Sequence, residues 1–272
     1  MSGAGHPEHR ANPGMNAPPA GARTSRFWSV LGILLIFAGW ELAARMMGPM
    51  LMATPLEALR SITLLADDPG FWTDSIDSLT RIAIGVGTGC AIGFTLGVLA
   101  GHDARLRGLL EPLRWLLMAI PPVVVVVLAM LWFGLGSGMV IFITILMMAP
   151  GMYVNTVKGM RMIDANLLEM GQVYRFSAWT RLRHIYLPAL AAPLTAALLI
   201  AACGGVRLVV MAEVLGAESG VGYALANARS TFDSGRLYAW VLLILGLVAL
   251  LEFLLLQPIQ RRLTRWQEPS HA

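Results

Sequence analysis

The sequence predicts an all-α membrane protein with six transmembrane helices. The chain has 272 residues, of which 57% are hydrophobic and 13% are charged, whereas soluble domains carry roughly 25% charged residues. Long uncharged stretches recur along the chain, and a helix needs about 20 mostly apolar residues to cross a bilayer. Lipid offers the backbone no hydrogen-bond partner, so these stretches are expected to be helical. The composition therefore argues against a soluble globule.

Six stretches are long enough to cross a membrane. The uncharged run 115–157 is too long for one helix, and Gly134, Gly136 and Gly138 divide it into two spans. Pro121 and Pro122 precede five valines, a pattern that favours a strand in water, but a lone strand in lipid would leave its backbone unpaired. We therefore predict a helix there. The predicted spans are 27–44, 82–100, 115–133, 139–157, 185–212 and 237–257.

The ends of the chain and its basic residues give the domain organisation and the orientation. Residues 1–26 are rich in Pro, Gly and Ala and are predicted to be a disordered tail. Residues 27–260 are assigned to the transmembrane domain and 261–272 to a second tail. With the N-terminus inside, 14 Lys and Arg residues lie on the inner side and 4 on the outer side. The positive-inside rule then places both termini in the cytoplasm.

Several kinds of chemistry are not expected in this chain. Cys90 and Cys203 lie in apolar runs, and no histidine lies inside a predicted span, so we expect no disulfide framework and no metal site. The only lysine, Lys158, follows Val157, so the chain has no phosphate-binding loop. We expect no catalytic residue and no cofactor. The net charge of +4 is explained by basic residues beside spans, so nucleic-acid binding is not expected.

The second predicted span carries a glycine at every fourth position. Such spacing places all of them on one helical stripe, where another backbone can approach closely. The stripe indicates a packing seam, either static or part of a moving transporter. Its members are Gly85, Gly89, Gly93, Gly97 and Gly101.

Residues 158–187 form a basic segment between the fourth and fifth spans. Ile163, Leu167, Met170 and Tyr174 repeat at helical spacing, and Asp164 is placed to cap that helix. The apolar face needs a partner. It could lie on the membrane surface, fold against its own bundle or dock on another protein.

Charged residues inside the spans need compensation, because an unpaired charge is unfavourable in lipid. Arg207 and Glu213 lie in the fifth span. One interpretation makes Arg207 a contact for an anionic solute and Glu213 a further residue of the pathway. The other gives them a structural role, in an ion pair or as side chains that snorkel to the interface. They are six positions apart, so they do not face each other on one helix. Asp77 and Arg81 are predicted to form a helix-surface pair.

Two parts of the sequence resemble a known family. Glu169-Met170-Gly171, then Arg175, then Ile185-Tyr186-Leu187-Pro188 is similar to the Glu-Ala-Ala…Gly…Ile-x-Leu-Pro signature of inner-membrane permeases of binding-protein-dependent ABC importers. The family usually has Gly where Arg175 stands and often Ala where Gly171 stands. Residues 211–223 and 227–229 resemble the sulfonate, taurine and nitrate branch. The likeness covers about residues 27–266.

The resemblance implies a type I ABC importer permease fold in the bacterial inner membrane. It implies that residues 158–187 are a coupling segment held by separate ABC ATPase subunits, which carry the ATP and Mg. A periplasmic binding protein would deliver a small anionic solute to a permease homodimer surrounded by membrane lipid. The implied coupling residues are Asp164, Glu169, Met170, Gly171, Arg175, Ile185, Leu187 and Pro188.

An ATP-independent secondary transporter is the alternative. Such proteins usually show internal repeats, broken helices or carboxylates at the midplane. The sequence shows little sign of these features, so we favour the permease. An intramembrane enzyme would need a constellation of His, Cys or paired carboxylates at one depth, and the sequence offers none.

Overall fold

A computed structural model describes residues 21–163, 169–170 and 173–256. Every regular element in this part of the chain is a helix, which confirms the predicted all-α class. The chain divides between Pro55 and Leu56 into a small N-terminal unit and a large unit.

The N-terminal unit contains one long helix, α1 (Gly21–Met47). It begins six residues before the predicted span, so residues 21–26, which we assigned to the tail, have a helical backbone. The first 20 residues of that predicted tail lie outside the described residues. Gly48 adopts φ +82° after the helix, a conformation that glycine tolerates best. The indole Nε1 of Trp40 donates to the carbonyl oxygen of Ala53 at 3.0 Å, which folds the following loop back along α1.

The large unit is built from helices of very different lengths. Three long apolar helices, α3 (Pro69–His102), α6 (Ser137–Arg161) and α8 (Leu187–Gly216), form its centre, and shorter helices pack around them. In chain order the elements are α2 (Pro55–Ala66), α3 (Pro69–His102), α4 (Ala104–Ala119), α5 (Pro122–Phe133), α6 (Ser137–Arg161), α7 (Ala178–Arg181), a π-helical turn (Leu182–Tyr186), α8 (Leu187–Gly216), α9 (Val221–Ser230), α10 (Ser234–Leu250) and a second π-helical turn (Leu251–Leu256).

Five helices in the described part of the chain are long and apolar enough to cross a membrane, and a sixth span is obtained if α4 and α5 are counted together. The five are α1, α3, α6, α8 and α10 with the start of the turn that follows it. This agrees with the predicted set of six spans.

The third predicted span is not one continuous helix. α4 and α5 meet at an angle of 99°, and Ile120 and Pro121 at the corner have extended backbones, with ψ 127° and 134°. Each of these residues precedes a proline, whose ring disfavours the helical conformation of the residue before it. The prediction of an unbroken helix over 115–133 is therefore wrong. The premise that broken helices are absent, used against a secondary transporter, is wrong as well.

The glycine stripe of α3 faces α6 along most of both helices. A Cβ built on Gly85 would lie 2.6 Å from Thr144 Cβ, and one on Gly97 would lie 2.6 Å from Thr156 Cβ. A Cβ on Gly93 would overlap the backbone carbonyl of Ala149. These distances are too short for real atoms, so the approach of the two helices depends on the missing side chains.

Helix α8 fills the groove beside the α3–α6 pair. The deepest core of the large unit lies where α5, α6 and α8 meet, and its members are buried aliphatic side chains and methionine. Van der Waals packing of these apolar side chains is the main interaction between helices that have few polar side chains. The core residues are Val125, Val126, Ala129, Met139, Val140, Ile143, Leu208, Val209 and Ala212.

Candidate functional site

A buried ion pair joins α3 to the last turn of α8. Arg81 Nη1 lies 2.6 Å from Glu213 Oε1, and the two residues are only 3% and 1% exposed. The hydroxyl of Ser78, one turn before Arg81, lies 2.8 and 2.7 Å from the two oxygens of the same carboxylate. The backbone N–H of Gly222, at the start of α9, donates to Glu213 Oε2 at 2.9 Å. Both buried charges are thus paired and hydrogen-bonded, as a medium of low dielectric constant requires.

The loop between α8 and α9 closes over this ion pair. Arg81 Nη1 donates to the carbonyl oxygen of Ser219 at 2.7 Å, and Nη2 donates to its hydroxyl at 2.8 Å. Gly220 adopts φ +105°, and a Cβ there would lie 2.5 Å from Glu213 Oε1 and 2.6 Å from Arg81 Nη1. Only glycine fits this position. We call the set Ser78, Arg81, Glu213, Ser219 and Gly222 the Arg81 junction.

The Arg81 junction differs from the sequence-based expectation for α3. The predicted pair is present, with Arg81 and Asp77 3.9 Å apart, but Arg81 is buried rather than at the surface, and its shorter contact is to Glu213. For Glu213, the structure contains the ion pair that we kept as an alternative, and its place on a solute pathway stays a prediction. Charge balance could have found the pair, because a lone Arg and a lone Glu in apolar spans each need an opposite charge.

A cavity of about 460 Å³ lies where the corner between α4 and α5 faces α6 and α8. Arg207, near the middle of α8, lines the cavity, and its side chain is exposed. Within the described part of the chain, Arg207 makes no hydrogen bond or ion pair. Most other lining groups are apolar, and methionine adapts easily to ligands of different shape. The four methionines that line the cavity are Met118, Met147, Met148 and Met211.

Apolar side chains are exposed along the described part of the segment 158–187. These side chains are available for contact with lipid, with the chain's own bundle or with a partner. The exposed fractions are 42% for Met170, 78% for Val173, 70% for Tyr174 and 69% for Trp179.

The structure describes some of the predicted coupling residues and not others. Asp164 and Gly171 lie outside the described residues. Glu169 and Met170 are exposed on a helical turn, and the buried side chain of Ile185 lies in the π-helical turn before α8. Leu187 and Pro188 are the first two residues of α8, where a proline is compatible with helix geometry.

Arg175 occupies a position with a left-handed backbone. Its φ is +47°, in the region that favours glycine because the Cβ of other residues meets the backbone there. The family signature has Gly at this position, so the sharp turn is kept although the residue differs. Ser177 follows the turn, and its hydroxyl accepts a hydrogen bond from the N–H of Thr180 at 3.2 Å, which caps α7.

Comparisons with known proteins agree with this architecture. The family described as "Binding-protein-dependent transport system inner membrane component" matches residues 93–268. The putative aliphatic sulfonates transport permease protein SsuC of Bacillus subtilis (strain 168) is 31% identical over 198 residues, which are 70% of this chain and 68% of that protein. The taurine transport system permease protein TauC of Escherichia coli (strain K12) is 26% identical over 242 residues, 86% of each chain.

A solved structure supports the fold. The MetNI methionine ABC transporter in an inward-facing conformation matches with a TM-score of 0.64, covering 73% of this chain and 100% of that chain. Its sequence identity is 20%, so this likeness bears on the fold alone, and it confirms the type I ABC importer permease architecture. The family match covers most of the chain and supports the permease over a secondary transporter. The chain belongs to the family of inner-membrane components of binding-protein-dependent transport systems, as a permease subunit of an ABC importer.

Proposed function

We propose that this permease forms half of the pathway for a small organic anion and that separate ATPase subunits hydrolyse the ATP. A second copy of the chain completes the pathway, and a periplasmic binding protein delivers the solute. The lack of a phosphate-binding loop around Lys158, the only lysine, supports ATP hydrolysis on another chain. The distribution of basic residues supports a cytoplasmic location for both termini and for the segment 158–187.

The observation that carries the solute class is Arg207 at the cavity between the α4–α5 corner and α8. A guanidinium without a protein partner at membrane depth is unfavourable unless water or a solute compensates it. An anion provides that compensation, and a guanidinium binds carboxylate, sulfonate or phosphate oxygens with two parallel hydrogen bonds. The methionine-rich wall suits an apolar body attached to the anionic head. The names of two relatives refer to aliphatic sulfonates, which have this form, and to taurine, a sulfonate that also carries an ammonium group.

Uptake by the reconstituted complex tests the solute class. The permease with its ATPase and binding protein is placed in proteoliposomes, and ATP-dependent uptake of radiolabelled ethanesulfonate and taurine is compared with uptake of nitrate and bicarbonate. We expect Arg207→Gln to lower uptake of the organic anions about tenfold or more, because a charge-assisted hydrogen bond contributes roughly 1.5–3 kcal/mol. Arg207→Lys should keep part of the activity.

Arg60→Gln is the matched control, because Arg60 is an exposed arginine of α2 far from α8 in the sequence. It should transport like the native protein. Unchanged uptake by Arg207→Gln would remove this residue from the pathway, and a preference for nitrate or bicarbonate would contradict the organic body of the solute.

The coupling segment is proposed to dock in a groove of the ATPase. Its exposed apolar side chains, Met170, Val173, Tyr174 and Trp179, need a partner, and the predicted coupling residues lie within the same segment. In this mechanism ATP binding draws the two ATPases together, and the segments move with them. The bundle then changes from one opening to the other, as a shift between two populated conformations.

Co-purification with the ATPase tests the docking. Tyr174→Asp places a charge in the proposed apolar contact and should reduce the amount of ATPase that purifies with the permease. Phe232→Asp is the control, since Phe232 is 69% exposed in the loop between α9 and α10. This loop follows the C-terminal end of α8, whereas the coupling segment precedes its N-terminal end. Equal recovery of ATPase with both variants would support the alternative that the segment lies on the membrane surface.

A further inference from the structure

Helix α8 connects the coupling segment to the Arg81 junction without a break. It begins at Leu187, directly after the π-helical turn, and ends at Gly216. Its 30 residues correspond to a length of about 45 Å, which is more than the hydrocarbon thickness of a bilayer. Glu213 lies in its last turn. One helix therefore has the coupling residues at its start and the buried ion pair at its end.

The guanidinium of Arg81 is the meeting point of four elements. Besides Glu213 on α8 and Ser219 in the following loop, it contacts Ser137, the first residue of α6, through a hydrogen bond of 3.0 Å from Nε to the hydroxyl. Helix α3 holds the same loop at a second point, because Asp74 accepts a hydrogen bond of 2.8 Å from the N–H of Gly220. All three nitrogens of the guanidinium donate to named acceptors.

The kind of contact at the Arg81 junction differs from that elsewhere in the bundle. Apolar helices in lipid are held mainly by van der Waals packing, and a contact that is lost there leaves no uncompensated charge. Hydrogen bonds of a buried ion pair are satisfied in one relative position, and displacement leaves an uncompensated charge in a medium of low dielectric constant. Sliding of α8 against α3 is therefore resisted most strongly at this end of α8.

We propose that the Arg81 junction makes the end of α8, the adjoining part of α3 and α9 move as one body. Displacement of the coupling segment at the start of α8 then reaches α9 on the opposite membrane face. Arg81 and Glu213 are positioning residues in this scheme, and the scheme rests on the proposed coupling to a separate ATPase.

Neither residue faces the cavity beside Arg207. Arg81 and Glu213 are at most 3% exposed, and the cavity beside Arg207 is lined by neither of them. Their charges compensate each other, and the surrounding donors and acceptors form hydrogen bonds with both groups. Replacing them should therefore leave the solute preference unchanged while it alters the transmission of movement.

Spin labels at the two ends test this transmission without knowledge of the solute. Cys90 and Cys203 are replaced by alanine, and single cysteines at Arg183, in the π-helical turn, and at Arg229, in the last turn of α9, carry nitroxides. Both positions are exposed. In the complex with the ATPase, trapping with ATP and vanadate should change the label mobility at both positions of the otherwise native protein.

The variant Glu213→Gln should keep the change at position 183 and lose most of it at position 229. We expect a reduction of about fivefold, within the range of coupling effects that single residues produce. Ser219→Ala removes one hydroxyl only, and it should give a smaller loss in the same direction even if Glu213→Gln assembles poorly. Glu41→Gln is the control, since Glu41 forms an exposed ion pair with Arg45 in α1, and it should behave like the native protein.

An undiminished response at position 229 in both variants would overturn the proposal. An equal loss at positions 183 and 229 would overturn it too, because that result indicates general loss of structure. Failure of the native complex to respond to ATP at position 183 would be a different result, since it would contradict the proposed function from which the inference starts.

Discussion

Replacing Gly93 by alanine should weaken the packing of α3 against α6, whereas the same replacement at Gly87 in the same helix should not. A Cβ on Gly93 would overlap the backbone carbonyl of Ala149 and lie 2.8 Å from Met152 Cβ. A backbone carbonyl cannot turn away, so the helices must separate. Overpacking of this kind raises the free energy of the folded state by about 1–3 kcal/mol.

Gly87 provides the matched control, because no atom lies within 4 Å of a Cβ built there. Alanine at this position should stabilise the protein by about 0.5–1 kcal/mol, since it restricts the unfolded backbone. Both variants gain this backbone contribution, so they should differ by the overpacking cost alone, about 1–3 kcal/mol. Gly101→Ala should destabilise the protein as well, but less than Gly93→Ala, because its new Cβ would lie 2.7 Å from Met160 Cβ and no backbone atom is among its nearest contacts.

The assay is reversible unfolding by SDS in mixed micelles, followed by tryptophan fluorescence. Each variant is compared with the native protein at several SDS fractions to obtain the change in the free energy of unfolding. The expected order, from the most to the least stable protein, is Gly87→Ala, native, Gly101→Ala and Gly93→Ala. Equal stability of Gly87→Ala and Gly93→Ala would refute the reasoning that the missing side chains of the stripe set the distance between the helices.

Two further predictions concern the coupling segment and the orientation. Arg175→Gly should raise the midpoint of thermal unfolding and keep coupled ATPase activity, because it removes the strain of a left-handed non-glycine residue, about 1–2 kcal/mol. Arg175→Val should lower both the midpoint and the activity, and equal behaviour of the two variants would contradict the role of the turn. With Cys90 and Cys203 replaced by alanine, a membrane-impermeant maleimide should label a cysteine at Arg183 only from the cytoplasmic side and one at Arg229 only from the outside. The reverse pattern in intact cells would show that the orientation is wrong.

The spans were predictable because their signal is local. A run of about 20 apolar residues is visible without any knowledge of neighbouring helices, and five of the six spans correspond to single long helices. The sequence does not predict the corner between α4 and α5, although it shows both prolines. Membrane helices often tolerate one proline, but two in succession make both Ile120 and Pro121 extended.

The charged residues were harder to predict because their partners are remote in the sequence. Periodicity relates residues within one helix, so it paired Arg81 with Asp77, four positions away. The shorter contact of Arg81 is to Glu213, which is 132 positions away and lies on a helix whose contact with α3 no local pattern specifies. The glycine spacing identified the face of α3 that packs, but it did not identify α6 as the neighbour. The cavity beside Arg207 depends on the corner between α4 and α5, which was not foreseen.

The double proline at that corner has a consequence for water. Pro121 and Pro122 have no N–H, so the carbonyl oxygens of Leu117 and Met118 receive no helical hydrogen bond from them. Both of these residues line the cavity beside Arg207. Irregular backbone at membrane depth is tolerated where it faces water, so the corner favours a hydrated cavity. An anion held at Arg207, as proposed, would then keep part of its hydration shell.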